Sequence, residues 1–395
     1  MTRTCLVTVY GPQNIIPAIA AVKYYGIQKN RSQKPTVITL VHNPGLQDSK
    51  IEGFRPNIGR IIEYQGWNAP IILTNKDLGK IIGPDFPLNY NEILRRFKSI
   101  IGFENIDEIY FVHNHGGRVV ELCLNAYPTA DIITTGDAFG YLYDAQYLEF
   151  IYGKKVSIRN VLSNTSTKVK TYFYDIIKPK KKIDIVAILP IDWSGNYTTG
   201  KNLYVVPKQT ALNVIQECSK AFQDIDELCN RVIEKTNEPR YLLLLSNFSD
   251  GNVMSIDAEA ALYEEIVRSV ASKNSSILVK PHPLSNNSLS EIVCKRLEAD
   301  YFVLELPSKL NQYPIELLNI LFLQCQIIAF SSAIVTLKYF YDRKMIYPMT
   351  EQLIEKYFPE PSWLQVKDFH RTYCSQLEKL STWDEKSLLW KGYDK

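Results

Sequence analysis

Short runs of β-branched and apolar residues alternate along this chain with longer stretches whose apolar positions recur every three or four residues. Cys5–Tyr10, Thr36–His42, Ile109–His113 and Asp131–Thr135 read as strands, Arg60–Tyr64 as a further short strand, and residues 15–25, 90–101 and 118–126 as helices. Strands separated by helices at this spacing argue for βαβ units on a parallel sheet. The pattern restarts after the lysine cluster at 178–182. Strands Ile183–Leu189, Tyr241–Leu245, Ser276–Lys280, Tyr301–Leu306 and Gln326–Phe330 are then interleaved with helices at 209–234, 257–272, 315–323 and 333–341. The prediction is an α/β protein of two Rossmann-like, doubly wound domains facing a central cleft. Residues 1–177 form the first, 178–184 a linker and 185–373 the second. Within the remaining segment, 374–395, a helix from Cys374 to Leu389 lies beyond the last strand and is expected to pack back on the first domain.

Length agrees with that division, since 395 residues exceed what one hydrophobic core usually organises. Apolar residues at 46% and charged residues at 22% are ordinary for a globular chain, whereas 25 tyrosines lift the aromatic share to 12%. The net charge of +3 is small and the cations are scattered, so no nucleic-acid footprint is implied. The one dense cluster, Lys178-Pro179-Lys180-Lys181-Lys182, reads as a solvated hinge rather than a lipid-binding patch. Seven cysteines at 5, 123, 218, 229, 294, 325 and 374 are widely spaced with no CxxC pair, as reduced core thiols would be. The first ten residues read as a strand rather than a signal peptide, and no apolar run reaches the roughly 18 residues of a membrane span. The expected location is the cytoplasm, with peripheral contact at the inner face of the membrane left open.

In an open α/β fold the ligand sits outside the carboxyl ends of the strands, so chemistry is sought there. Ser276-Ile-Leu-Val-Lys-Pro-His-Pro is a buried strand that stops at two prolines bracketing His282. Pro281 and Pro283 restrict the backbone on both sides of that histidine, which would hold it at the strand's edge beside Lys280. A histidine there can donate a proton to a departing phosphate, and the plainer reading is a turn histidine bonded locally. Ser331 and Ser332 stand where the strand Gln326–Phe330 runs into a helix, so their hydroxyls and the free N–H groups would suit a phosphate, or simply cap the helix. Glu316, after Pro314 at a helix start, would complement the helix dipole or accept hydrogen bonds from a ribose.

On the first domain, Asp137 follows a strand between Gly136 and Gly140, as a turn aspartate or as a base for an acceptor hydroxyl. The loop Tyr10-Gly11-Pro12-Gln13-Asn14 offers the amides of Gln13 and Asn14 to a substrate. Asp224-Ile-Asp226 lies in an amphipathic helix and reads as a solvated face, and His42, His113, His115 and His370 show no ligand spacing, so no metal is expected. His113 and His115 sit at a strand end where they could line the cleft. Hydride transfer, P-loop hydrolysis and acyl hydrolysis lack their motifs.

Taken in order, the first-strand loop, Gly136-Asp137, Lys280-Pro-His-Pro, Pro314-x-Glu316 and Ser331-Ser332 resemble the motifs of bacterial sialyltransferases and polysialyltransferases of the glycosyltransferase-B architecture. The resemblance implies an inverting, metal-independent transfer of sialic acid from CMP-sialic acid to a hydroxyl of an acceptor glycan, with no cofactor. The acceptor it implies is a cell-surface polysaccharide or lipooligosaccharide. It implies Asp137 as general base and His282 as general acid. Ser331 and Ser332 would hold the phosphate, Glu316 the ribose, and Lys280 and Pro283 would complete the nucleotide site. Gln13, Asn14 and Gly136 would contact acceptor or donor sugar. The family's aspartate sits in an acidic-Asp-Gly turn, whereas here the turn is Gly136-Asp137-Ala138. Other readings kept open are transfer of another CMP-activated acid sugar such as Kdo, a UDP-sugar epimerase or hydrolase, and a catalytically silent glycan-binding protein.

Overall fold

The computed structural model describes residues 3–31, 33–43, 46–83, 89–112, 118–136, 183–190, 202–283, 285, 288–311, 313–331, 333–341 and 345–381. Two parallel sheets carry the architecture. The first contains Thr4–Val9 (β1), Thr36–Val41 (β2), Ile71–Ile72 (β3), Glu108–Val112 (β4), Asp131–Gly136 (β5), Ile183–Ala187 (β6) and Asn202–Val205 (β7), in the order β3-β2-β1-β4-β5-β6-β7. The second contains Arg240–Leu244 (β8), Ser276–Lys280 (β9), Phe302–Glu305 (β10), Gln326–Ile328 (β11) and Met345–Ile346 (β12), in the order β10-β9-β8-β11-β12. Each sheet grows outward from its first strand in one direction and then resumes on that strand's other side. The strand order therefore reverses between β1 and β4 in one sheet and between β8 and β11 in the other. At such a switch point neighbouring loops leave in opposite directions and open a crevice at the carboxyl edge.

The strands are apolar on both faces because helices cover both. Along β1, Cys5, Val7 and Val9 enter one cluster with Ile15, Ile19 and Val22 of the helix Ile15–Gln28, while Leu6 enters another with Leu78, Ile93 and Phe97. That is the period of two expected of a strand buried on both sides. The first cluster continues through Val214 and Cys218 of the helix Lys208–Ser219, and Ile225 of the helix Gln223–Glu234, to Leu242 on β8 and Leu278 on β9. Each fully buried side chain of this size stabilises the fold by roughly 1.5–3 kcal/mol relative to exposure. The two sheets thus share one continuous apolar layer.

The doubly wound α/β expectation holds, with several differences of detail. Arg60–Tyr64 is the end of a helix, Arg55–Tyr64, whose buried Ile58, Ile61 and Ile62 recur at helical spacing behind Pro56 near its start. Five residues are too short a window to separate Ile61-Ile62 in a helix from the same pair in a strand. Ile183–Ala187, expected to open the second sheet, pairs instead with β5 in the register Ile132↔Ile183 through Gly136↔Ala187. The strand β7, unrecognised in the sequence, then pairs with β6, so the first sheet extends to Val205 and the second begins only at Arg240. Periodicity marks a strand without saying which sheet it joins. The predicted helix 209–234 is two helices broken by a 3-10 turn at Lys220–Phe222, where Phe222 turns inward. The last described helix, Trp363–Ser381, begins earlier than expected and packs on the helices Ala333–Tyr341 and Glu351–Tyr357 of the second half. Residues 178–182 of the expected linker and 382–395 at the end lie outside the described residues.

Candidate active site

Strand β9 is buried along its full length, and Lys280 at its end is only 4% exposed. Burial pushes the Lys280 ammonium down to about 8, against the opposing pull of the Glu316 carboxylate. Glu316 itself is buried in the short 3-10 turn Ile315–Leu317, whose main-chain Glu316 O accepts from Tyr341 Oη at 3.1 Å. That turn feeds the helix Asn319–Gln324 and then β11, so it lies at the same carboxyl edge as Lys280. The two residues the sequence marked as neighbours in role are therefore neighbours in charge.

Beyond Lys280 the chain turns at once. Ser285 N donates to His282 O at 2.9 Å, closing a tight turn that begins at the histidine between its two prolines, with His282 half-buried and Pro283 exposed. Burial and the Lys280 cation depress the His282 imidazole to about 4, with Lys50 adding to the effect and Asp250 opposing it. The ring is consequently neutral at neutral pH in the empty protein. An anion arriving beside it would favour its protonated form.

The switch point of the second sheet lies between β8 and β11, one strand away from His282. Leu244 is level with Lys280 and Leu243 with Ile328, so the segment following β8 emerges between His282 and Ser331. A buried carboxylate holds it there. Glu259, on the helix Ile256–Val270 and fully buried, accepts from Phe248 N at 3.2 Å and Ser249 N at 2.7 Å. Tyr263 Oη accepts from Ser246 N, and Phe248 stacks on Phe330 with centroids 5.6 Å apart, tying this loop to the residue before Ser331. Burial raises the Glu259 carboxyl despite those N–H donors. Ser331 is half-buried at the start of the helix Ala333–Tyr341, and its main-chain O accepts from Ile334 N at 3.1 Å. Ser332 lies outside the described residues.

At the first sheet's edge, Asn14 Oδ1 accepts from Tyr10 N at 3.2 Å, so its amide oxygen holds its own loop. Gln13 is exposed and folds back over Gly11, where an added Cβ would meet its Oε1 at 2.6 Å. Gly136 ends β5, while Asp137, His113 and His115 lie outside the described residues. Beside this loop a cavity of about 570 Å³ opens at the ends of β1 and β2, lined by Thr8, Tyr10, His42, Asn75, Leu78 and Arg118 among others. His42 Nδ1 must donate to the carbonyl of Leu73 at 2.8 Å, which leaves Nε2 as the acceptor in the neutral ring. Burial depresses this histidine, opposed by the Leu73 carbonyl and Asp48. The short helix Asp48–Gly53 then brings Lys50 across to the other half, where its Nζ donates to Ser285 O at 3.2 Å.

Lys280, His282, Pro283, Glu316 and Ser331, each marked in the sequence, lie at the carboxyl edge of the second sheet. The sequence reading missed Asp250, Glu259, Lys50 and the His42 cavity. A glutamate on an otherwise apolar helix face was the one available signal, since Glu259 is buried among Ala260, Leu262 and Tyr263. Asp224 belongs to a junction between the halves rather than to a solvated face. It accepts from Arg60 at 2.7 Å and Lys309 at 2.7 Å, and the Arg60 guanidinium lies 4.4 Å from the Phe222 ring centroid. Among the described residues no group of three or more His, Cys, Asp or Glu side chains could hold a metal.

The family model for alpha-2,8-polysialyltransferases (POLYST) matches residues 89–350, more than half of the chain. The protein belongs to the alpha-2,8-polysialyltransferase family. It is therefore a sialyltransferase-type glycosyltransferase, and membership implies a nucleotide-sugar donor and an acceptor. The span matched by the polysialyltransferase model includes Lys280, His282, Glu316 and Ser331, and it excludes the first-strand loop and Lys50. Comparison with curated proteins gives no match. Solved structures with partial similarity include the UDP-GlcNAc 2-epimerase from Neisseria meningitidis bound to UDP-GlcNAc, at 10% identity and TM-score 0.37 over 85% of this chain and 79% of that one. They also include the UDP-GlcNAc 2-epimerase from Methanocaldococcus jannaschii, at 11% and 0.38 over 86% and 80%. A glycosyl transferase of family 9 from Veillonella parvula DSM 2008 gives 10% and 0.39 over 96% and 97%. Similarity of that order bears on neither fold nor chemistry. No described helix is long and apolar enough to cross a membrane.

Proposed function

We propose that this polysialyltransferase-family enzyme moves sialic acid from CMP-sialic acid to a hydroxyl of an acceptor glycan, with inversion and without a metal. The observation that carries the reading is His282, braced by two prolines at the carboxyl edge of β9 between Lys280 and the β8 loop. In the proposed reaction the acceptor oxygen attacks the anomeric carbon of the sialyl group while the bond from that carbon to the phosphate oxygen breaks. The electron pair leaves with CMP, and the hydroxyl proton passes to Asp137.

Charge develops on the departing phosphate oxygen, so fixed donors near it contribute most. A neutral His282 supplies an N–H to that oxygen at once, and it gains a proton to pass on as the donor's anionic groups raise its affinity for one. We assign the phosphate to Ser331 and Ser332, the ribose to Glu316, and the acceptor to the first sheet's edge around Gln13, Gly136 and the His42 cavity. Lys280, beneath His282, keeps the pocket positive, and its partner Glu316 keeps that cation in place.

The test is CMP release from CMP-sialic acid by purified protein, with and without acceptor glycans and against CMP-Kdo as competitor. Acceptor-dependent release with sialic acid preferred is the expected result. Turnover of a UDP-sugar alone would overturn the reading, as would a protein that binds CMP no better than UMP and releases none.

A further inference from the structure

We infer that Lys50 is a phosphate-binding residue delivered to the donor site from the opposite half of the molecule, an inference that rests on the CMP-donor reading above. Lys50 belongs to the first half, on the helix Asp48–Gly53 beyond the end of β2, yet its Nζ lies 3.2 Å from Ser285 O in the second half. That carbonyl belongs to the turn closed by Ser285 N and His282 O, so the ammonium rests on the turn that carries the histidine. The helix behind it is anchored. Asp48 accepts from Asn75 N at 2.8 Å and Lys76 N at 3.3 Å, and Ile51 is fully buried.

An ammonium has three N–H donors, and Ser285 O takes one of them. No other described protein group takes a second. Lys50 also joins Lys280 in placing positive charge on a half-buried imidazole, with Asp250 as the acidic group opposing them. Two cations gathered at one neutral ring suit an incoming anion more than an empty cleft. Lys280 comes from the nucleotide half and Lys50 from the acceptor half, so a phosphate held by both would also draw the halves together. Lys50 precedes residues 89–350, which the family model matches.

The test uses the full chain with Lys50→Met and Lys50→Arg, and reads binding of CMP and of cytidine, which lacks the phosphate, alongside the melting temperature. Lys50→Met should weaken CMP about tenfold, the scale of one lost charge-assisted hydrogen bond, with cytidine affinity and melting unchanged. Lys50→Arg, which keeps the charge, should recover most of the loss. Unchanged CMP affinity in Lys50→Met overturns the inference while leaving the donor reading intact. Equal weakening of CMP and cytidine also overturns it, because Lys50 would then only staple the turn. A wild-type protein that binds CMP and cytidine alike removes the phosphate site altogether, and with it both this inference and the donor reading.

Discussion

The carboxyl edges of the two sheets are furnished differently, although each sheet reverses its strand order beside its first strand. The second sheet's edge gathers buried polar and charged groups: Lys280 and Glu316 against each other, His282 on a proline-braced turn, and Glu259 fastening the loop that emerges at the switch point. The first sheet's edge instead opens to a cavity of about 570 Å³ walled by a mixture of apolar side chains with His42, Asn75 and Arg118. Fixed donors suit a group whose charge changes during reaction, and a roomy mixed wall suits a neutral hydroxyl on a large sugar.

The division is most sharply tested at His282. His282→Ala should lower turnover roughly 10²–10⁴-fold with the melting temperature unchanged, since that is the range for a lost general acid. Full activity in the variant would move the chemistry away from the second sheet. Glu259→Ala leaves two backbone N–H groups without their acceptor, at a cost on the order of 2 kcal/mol, so the melting temperature should fall by several degrees and CMP should bind more weakly. A wild-type melting curve would show that the β8 loop does not depend on this carboxylate. The double change Ser331→Ala with Ser332→Ala should weaken CMP about tenfold and leave acceptor KM alone. Equal CMP affinity would remove the phosphate from the head of that helix.

Two smaller effects separate the edges further. His282 stands at about 4 in the empty protein, where its protonated form is lost as pH rises through that value, and the donor's anions should raise it. The pH at which kcat falls should therefore lie about one unit or more above the corresponding limb of kcat/KM, which reports the free enzyme. Coincident limbs would mean that the donor does not touch this histidine. His42→Gln should raise acceptor KM several-fold, on the scale of one hydrogen bond, without changing CMP affinity. A change in CMP binding instead would make the two edges one site.

Much of the second edge was legible before any fold was known because proline and strand chemistry are local. Lys280-Pro-His-Pro ends a strand for covalent reasons, and a serine pair at a strand-to-helix junction offers its donors wherever the sheet lies. Asp250 and Lys50 carry no such local mark, since each is an ordinary surface residue type whose meaning comes from what faces it. The membership of Ile183–Ala187 was hidden for the same reason. Its alternation demands a sheet, and only pairing with β5 says which one.

By itself, then, the sequence determined an α/β chain wound twice over, the strand end that carries His282, and the helix start that carries Ser331, because each follows from backbone restriction and apolar period within about ten residues. Tertiary structure alone decided that the first sheet continues to Val205, that one apolar layer joins both sheets, and that Glu259 holds the loop beside His282. It alone brought Lys50 across 235 positions of sequence to Ser285. Contacts of that range depend on where whole elements pack, and no local preference of a lysine encodes them.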